Sequence, residues 1–385
     1  VRMRTTAVAV VAAALSAVLA APAVAAPPGP GAGAGDASGD HLATRQALRA
    51  AVDAGVPGVT ATARDRRGTW SATAGVGDLR TGQKRSPHDR YRVGSITKTF
   101  VATVLLQLEA EGGLSLDDTV DAWLPGLVSG NGHDGTRITL RQLLNHTSGI
   151  FDYTSGEEYR RAYSTKEGFF AHRYDTRTPQ ELVRDALAHE PYFEPGASWR
   201  YSNTNYVLAA LVIERATGRP YGEEVRRRVI EPLRLTATSV PGTRASLPRP
   251  SSRAYSKPAS TATGPAYDVT LLNPSRAFSA GEMISDSRDL NRFYRALLTG
   301  RLLPPEQLDE MTTTVPTGTG TDYGLGLMKV PLGCGTNVWG HSGGISGSST
   351  GAGTTQDGRH SLAFNFNGDW AGNGRAVMEA EFCGD

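Results

Sequence analysis

Gly94-Ser95-Ile96-Thr97-Lys98-Thr99-Phe100 is the stretch around which the 385-residue chain is read. A serine followed three positions later by a lysine carries chemistry if the pair opens a helix, because residues i and i+3 then share a face about one turn apart. The hydroxyl would sit at the positive end of the helix with an ammonium beside it, one way to make serine nucleophilic near neutral pH. Phe100, Val101, Val104, Leu105 and Leu108 recur at helical spacing and Gly112-Gly113 stops the run, so a helix is predicted. The plainer reading is an amphipathic helix with one solvated lysine, and an isolated Ser-x-x-Lys does not choose between them.

Working outward, the folded part is predicted to begin near Asp40. Residues 41–54 read as a helix, and residues 58–63 and 70–75 alternate as a hairpin across Arg66-Arg67-Gly68. After the Ser95 helix come a short acidic segment (114–124) and a short helix (138–145). Thr178-Pro179-Gln180-Glu181 is a capping box with proline at the first helical position, opening a helix to residue 189. Further helices are predicted over 206–217, 221–233 and 287–299, the last between an N-cap serine and Gly300. Residues 323–330, 337–340, 347–354 and 360–366 read as short strands, followed by a helix over 374–382. Strands at both ends and helices between them point to an α+β fold. It would hold one antiparallel sheet formed from both chain ends, flanked by helices, with an inserted, mostly helical lobe.

Arg2 and Arg4 precede an apolar run over residues 7–20, and Ala23-Val24-Ala25 supplies small residues where a signal peptidase cuts. Residues 1–25 therefore read as a secretory signal peptide, the run being short for a bilayer span, with a retained anchor as the alternative. Residues 26–39, mostly Pro, Gly and Ala, read as a flexible linker, and 40–385 as one two-lobed domain. The expectation is a secreted, extracellular monomer with no membrane span after cleavage. The leader holds two of the 40 Lys+Arg, leaving 38 against 38 Asp+Glu, a balance that points away from nucleic acid. Cys334 and Cys383, an even count in an exported chain, suggest a disulfide of roughly 4 kcal/mol on the chain-entropy scale; the alternative is two free thiols. The eight His show no ligand spacing, so no metal is expected.

Two further stretches carry candidate chemistry. In Tyr201-Ser202-Asn203, just ahead of a predicted helix, residues two apart point the same way in extended chain. A phenol that exchanges a proton and an amide that polarises a lysine or a carbonyl could then face one cavity. Alternatively Asn203 or Asn205 is a helix N-cap and Tyr201 a core aromatic. In Gly340-His341-Ser342-Gly343-Gly344, a glycine-rich strand edge would admit a substrate backbone, with His341 and Ser342 as donors; the alternative is a strand ending in a turn.

Each of the three patterns, Ser-x-x-Lys, Tyr-x-Asn and His-Ser-Gly, occurs once in the chain. Together they resemble the motifs of the penicillin-recognising serine hydrolases, above all secreted serine D-alanyl-D-alanine carboxypeptidases and class C β-lactamases. The resemblance spans nearly the whole mature chain. It includes Arg92-Val93-Gly94, Leu143-Leu144-Asn145-His146-Thr147-Ser148-Gly149, Phe193-Glu194-Pro195-Gly196 and Tyr323-Gly324-Leu325-Gly326-Leu327. It implies a β-lactamase/transpeptidase-like fold in which Ser95 attacks a carbonyl and forms an acyl-enzyme. Lys98 and Tyr201 would handle the proton, which of them is the base being open. Asn203 would contact Lys98 and the substrate amide. The N–H groups of Ser95 and Gly344 would form an oxyanion hole beside Ser342 and Gly343. His341, where β-lactamases have lysine, would assist Tyr201 or the substrate. Cys334 and Cys383 match the disulfide pair of the secreted carboxypeptidases. A peptidoglycan-type peptide or a small ester or amide is the implied substrate, with β-lactams as covalent ligands and no cofactor.

Three positions depart from the carboxypeptidase pattern. Met328 stands where an arginine receives the substrate carboxylate, and a thioether cannot make that pair. Lys329 is adjacent, but strand neighbours point to opposite faces. Arg276 stands where an aromatic lines the pocket and is expected to supply the missing cation; the alternative is a surface arginine on an esterase or D-amino-acid amidase. Gly344 stands where threonine is common. The expected activity is D-Ala-D-Ala carboxypeptidase. An esterase or a D-amino-acid amidase or aminopeptidase is the alternative. A β-lactamase is disfavoured by His341-Ser342-Gly343, and a noncatalytic peptide-binding protein by the retention of Ser95 and Lys98.

Overall fold

The hairpin predicted near the start of the fold forms, and its partner is at the other end of the chain. A computed structural model describes residues 41–257 and 264–384; the signal-peptide reading of 1–25 and the linker reading of 26–39 lie outside the described residues. Strands β1 (Gly58–Asp65) and β2 (Gly68–Gly75) turn at Arg66-Arg67, where Asp65 Oδ1 accepts the N–H groups of Arg67 and Gly68 at 2.8 and 3.2 Å. The remaining strands of the sheet are β3 (Val315–Pro316), β4 (Asp322–Tyr323), β5 (Met328–Pro331), β6 (Asn337–Ile345), β7 (Ser348–Thr355) and β8 (Ser361–Phe366). Their order is β2-β1-β8-β7-β6-β5-β4-β3, antiparallel throughout, with Val59 of β1 opposite Phe366 of β8. The sheet is thus built from both chain ends.

The helices that matter for the site are α1 (Leu42–Asp53), α2 (Thr97–Ala110), α3 (Glu157–Tyr163), α4 (Lys166–His172), α5 (Pro179–Leu187), α6 (Asn203–Thr217), α7 (Ser287–Leu298) and α8 (Gly374–Cys383). One apolar layer joins Leu48 and Ala51 of α1 and Val377 of α8 to Val59, Ala61 and Ala63 of β1 and Phe364 and Phe366 of β8. A second, larger core joins α7 to the helical lobe around α2 and α6. Those two helices are buried on nearly every side, so neither shows the apolar stripe of a surface helix. Among the described residues no helix is long and apolar enough to cross a membrane.

Several boundaries differ from the expectations, each for a local reason. The cap of α7 is Asp286, not a serine: its carboxylate accepts from Asp289 N at 2.8 Å. The helix expected over 221–233 breaks into Tyr221–Val225, a π-turn at Arg226–Ile230 and Glu231–Leu233. Pro232 lacks the N–H that would close an α-turn onto Arg228. The strand expected over 323–330 is two strands, because the intervening loop leaves the sheet to dock on α2, where Gly326 O accepts from Thr99 Oγ1 at 2.7 Å. Strand β6 continues five residues beyond its predicted end. The Thr178 capping box forms as predicted, and a second one, Thr139 with Gln142, opens Leu140–Leu144. Cys334 and Cys383 are disulfide-bonded, tying the β5–β6 region to the end of α8.

Candidate active site

Ser95 lies in the 3-10 turn Gly94–Ile96 that leads into α2. Gly94 takes φ +53°, and a Cβ there would lie 2.6 Å from Gly344 N. A Cβ on Gly343 would lie 1.9 Å from Val93 O and 3.1 Å from Ser95 N. Two glycines from distant parts of the chain thus let the Ser95 turn and β6 meet backbone to backbone. The meeting place is an open strand edge. Among the described residues β5 pairs only with Asn337, Val338, Trp339 and Gly340 of β6, and no other strand lies along the rest of that edge.

Lys98, on the first turn of α2, is fully buried. Its Nζ donates to Asn203 Oδ1 and to Ala280 O, each at 2.7 Å, and lies 3.2 Å from Ser95 Oγ. Burial pushes its pKa down to about 7, against the opposing pull of Asp152. Asn203 is oriented by its own partners: Nδ2 donates to the Asp152 carboxylate at 3.1 Å and to Thr154 Oγ1 at 3.2 Å, which turns Oδ1 to the lysine. Burial raises the Asp152 carboxyl, while Thr154, Asn203 and Lys98 draw it back. Asn203 is the first residue of α6 and not, as expected, part of an extended segment before it; it reaches Lys98 together with Tyr201 even so. The Tyr201 ring lies 4.8 Å from Lys98 Nζ. Burial raises the Tyr201 phenol, partly offset by its hydrogen bond with Ser95.

His341 bonds Tyr323, and its ring lies 6.4 Å from that of Tyr201. Its Nε2 lies 2.9 Å from the Tyr323 hydroxyl, and its Nδ1 bonds the carbonyl of Ser342. A carbonyl only accepts, so Nδ1 carries the proton and Nε2 accepts from Tyr323. Burial pushes the His341 pKa down to about 3, so the ring is neutral. Ser342 is exposed, its hydroxyl 4.0 Å from Met328 Sδ. Behind Tyr201 lies His146, fully buried, its ring 4.2 Å from that of Tyr201 and 4.8 Å from that of Tyr323. Its Nδ1 accepts from Ser202 N and Asn205 Nδ2, each at 3.2 Å.

Ser95, Asn203, Arg276 and Gly344 line one cavity of about 230 Å³, walled by Tyr159 and Tyr163 of α3. Arg276 is not a surface residue: it is 4% exposed. Its guanidinium lies over the rings of Tyr163 and Phe169 at 4.7 and 5.8 Å, its Nη2 donates to Ser346 Oγ at 2.7 Å, and its Nε has no partner among the described residues. Asp152, Ala280, Tyr323 and His146 belong to this constellation and were not singled out as site residues from sequence. The readable signal for Asp152 was an acid set among apolar and aromatic residues directly after His146-Thr147-Ser148-Gly149. Among the described residues no group of His, Cys, Asp or Glu is arranged to hold a metal ion.

With this geometry in view, comparison with known proteins is informative. Residues 44–378 match the protein-family profile described as beta-lactamase. A penicillin-binding protein of Bacillus subtilis (strain 168) is 31% identical over 283 residues, covering 68% of this chain and 56% of that protein. The chain spans a little over half the length of the curated relatives it matches. The crystal structure of a D-stereospecific amidohydrolase from Streptomyces sp. is 62% identical, with a TM-score of 0.85 over 90% of this chain and 99% of that one. A D-amino acid amidase from Ochrobactrum anthropi SV3, complexed with D-phenylalanine, is 29% identical, with a TM-score of 0.77 over 89% of this chain and 99% of that one. By its sequence match and its fold, the chain belongs to the beta-lactamase family.

Proposed function

We propose that the chain is a serine hydrolase that works through an acyl-enzyme on Ser95 and cleaves amides or esters whose acyl part is a D-amino acid. The observation that carries this reading is the environment of Lys98 Nζ. Asn203 Oδ1 and Ala280 O can only accept, so they hold two of its protons. When the third is lost, the lone pair is left toward Ser95 Oγ. Neutral Lys98 is then the base: the Ser95 proton passes to Nζ as Oγ bonds to the carbonyl carbon. The N–H groups of Ser95 and Gly344 receive the oxyanion. Tyr201, a neutral phenol because burial opposes its ionisation, relays the proton to the departing amine. Water then repeats the attack and frees Ser95.

Two observations favour D-amino-acid amides over cell-wall dipeptides. Met328 and Ser342 give the strand end no charge with which to grip a terminal carboxylate. The amidohydrolase from Streptomyces sp., similar over nearly the full described chain, supports the same substrate class. Release of ammonia from D- and L-phenylalanine amide tests it. Turnover of the D form only, abolished in Ser95→Ala, is expected; equal turnover of both, or none of either, would overturn it. A penicillin adduct seen by intact mass and lost in Ser95→Ala would assign the acyl-enzyme to Ser95.

A second reading, D-Ala-D-Ala carboxypeptidase, rests on the buried Arg276 with its unpartnered Nε in the same cavity as Ser95. It expects Arg276→Ala to lose release of D-Ala from a D-Ala-D-Ala peptide while keeping activity on D-phenylalanine amide. Secretion belongs to the proposal through the leader at residues 1–25, and N-terminal sequencing of exported protein tests it.

A further inference from the structure

A second cavity, of about 440 Å³, shares no residue with the one at Ser95. It lies between the β1–β2 hairpin and α7, and Arg64, Arg288, Arg292, Arg295 and Arg301 line it without any carboxylate. Arg288, Arg292 and Arg295 follow one face of α7, where like charges a turn apart repel. The chain as a whole balances 40 Lys+Arg against 38 Asp+Glu, so this is a local accumulation and not general basicity. Among the described residues none of the five arginines forms an ion pair. Arg292 donates to the carbonyls of Leu233 and Arg234, and Arg295 to Gly358 O at 2.7 Å. The exposed side chains of Arg64, Arg288 and Arg301 make no hydrogen bond to other described residues. Burial depresses the Arg295 pKa, and the charge of Arg64 adds to it.

Asn291 adds a second, independent requirement. It is 4% exposed and lies on the same face of α7, within the cavity wall. Its Nδ2 donates to Thr62 O at 2.7 Å, which fixes the amide, and its Oδ1 has no partner among the described residues. A single unpaired acceptor among guanidinium donors calls for an anion that also donates a hydrogen bond. Guanidinium forks match tetrahedral oxyanions two oxygens at a time. Sulfate at neutral pH has no proton to give, whereas hydrogen phosphate and hydrogen pyrophosphate keep one, and sugar phosphates carry hydroxyls. The volume falls within the range of small-ligand sites and exceeds what one phosphate fills. We propose that this cavity is a binding site for phosphate-class ligands bearing an O–H donor, such as pyrophosphate or a sugar phosphate, separate from the Ser95 site.

Calorimetric titration of the full chain at low ionic strength, with pyrophosphate, glucose 6-phosphate and sulfate, tests this. One-to-one saturation by at least one phosphate ligand is expected, roughly tenfold tighter than by sulfate, the value of the one hydrogen bond that sulfate cannot make. Whichever phosphate binds more tightly names the source. The double variant Arg64→Gln/Arg288→Gln should lose saturable binding and keep turnover at Ser95, because neither side chain has a partner among the described residues to lose and neither lines the Ser95 cavity. Equal affinity for sulfate and the phosphates, unchanged binding in the double variant, or no saturation at millimolar ligand would each overturn the proposal.

Discussion

Lys98 sets the expected pH dependence of the site. With its pKa near 7, the lone pair becomes available as pH rises, so kcat/KM should climb through an acid limb centred near pH 7. Asp152 pulls that pKa upward, and Asp152→Asn keeps an acceptor for Asn203 Nδ2 while removing the charge. The limb should therefore move to lower pH in Asp152→Asn; an unmoved limb in a pH–rate profile would show that another group titrates. Lys98→Ala should lower kcat by about 10²–10⁴-fold. Tyr323 makes a different kind of contribution. Its hydroxyl is the partner of the buried His341 Nε2, so Tyr323→Phe strands that acceptor and should cost about 1–3 kcal/mol in urea unfolding. Ser95, Lys98, Tyr201 and Asn203 were legible in sequence because each belongs to a short pattern that occurs once. Asp152, His146 and Tyr323 were not, because their meaning comes from burial and from neighbours far along the chain. The bond between His341 and Tyr323 was not legible for the same reason: the two lie on different strands of the sheet.

The contact between the Ser95 turn and β6 belongs to elements and not to single side chains. It predicts opposite outcomes for adjacent glycines. Gly343→Ala places a methyl against Val93 O and Ser95 N, so the turn and strand must separate and the oxyanion donors with them; a loss of about 10²–10³ in kcat is expected. At Gly344 a Cβ meets nothing within 4 Å, so Gly344→Ala should retain activity. Active-site titration of both variants with an acylating ester checks the pair, and equal loss in the two would contradict this account. At this scale the sequence was a good guide where a local rule decides: the β1–β2 hairpin and the Thr178 capping box. It failed where tertiary context decides. The π-turn before Pro232 and the docked loop at Gly326 depend on neighbours that periodicity does not report.

For the whole molecule, α1 near the start of the described fold is fastened to α8 near its end by a buried carboxylate. The fully buried Glu381 carboxylate of α8 accepts from Thr44 at 2.7 Å and bonds His360 and His41 at 2.7 and 2.9 Å. Burial pushes its pKa up, but these partners outweigh it and hold it below the ordinary range. A depressed carboxyl contributes stability above its unfolded pKa and loses it as pH falls through the folded value. Glu381→Gln should therefore cost about 1–3 kcal/mol at pH 7, with the difference vanishing in acid, as denaturant titrations at the two pH values would show. Reducing Cys334–Cys383, which closes a 49-residue separation, should cost roughly 4 kcal/mol by the same measurement. The pairing of β1 with β8 also bears on time. Val59 of the hairpin is synthesised long before Phe366, its partner in β8, and Gly344 emerges only shortly before that partner. Such non-local pairing makes for slow, late folding. A chain cut short before β8 would hold Ser95, Lys98 and Tyr201 in full and still lack the strand that joins the β1–β2 hairpin to β7.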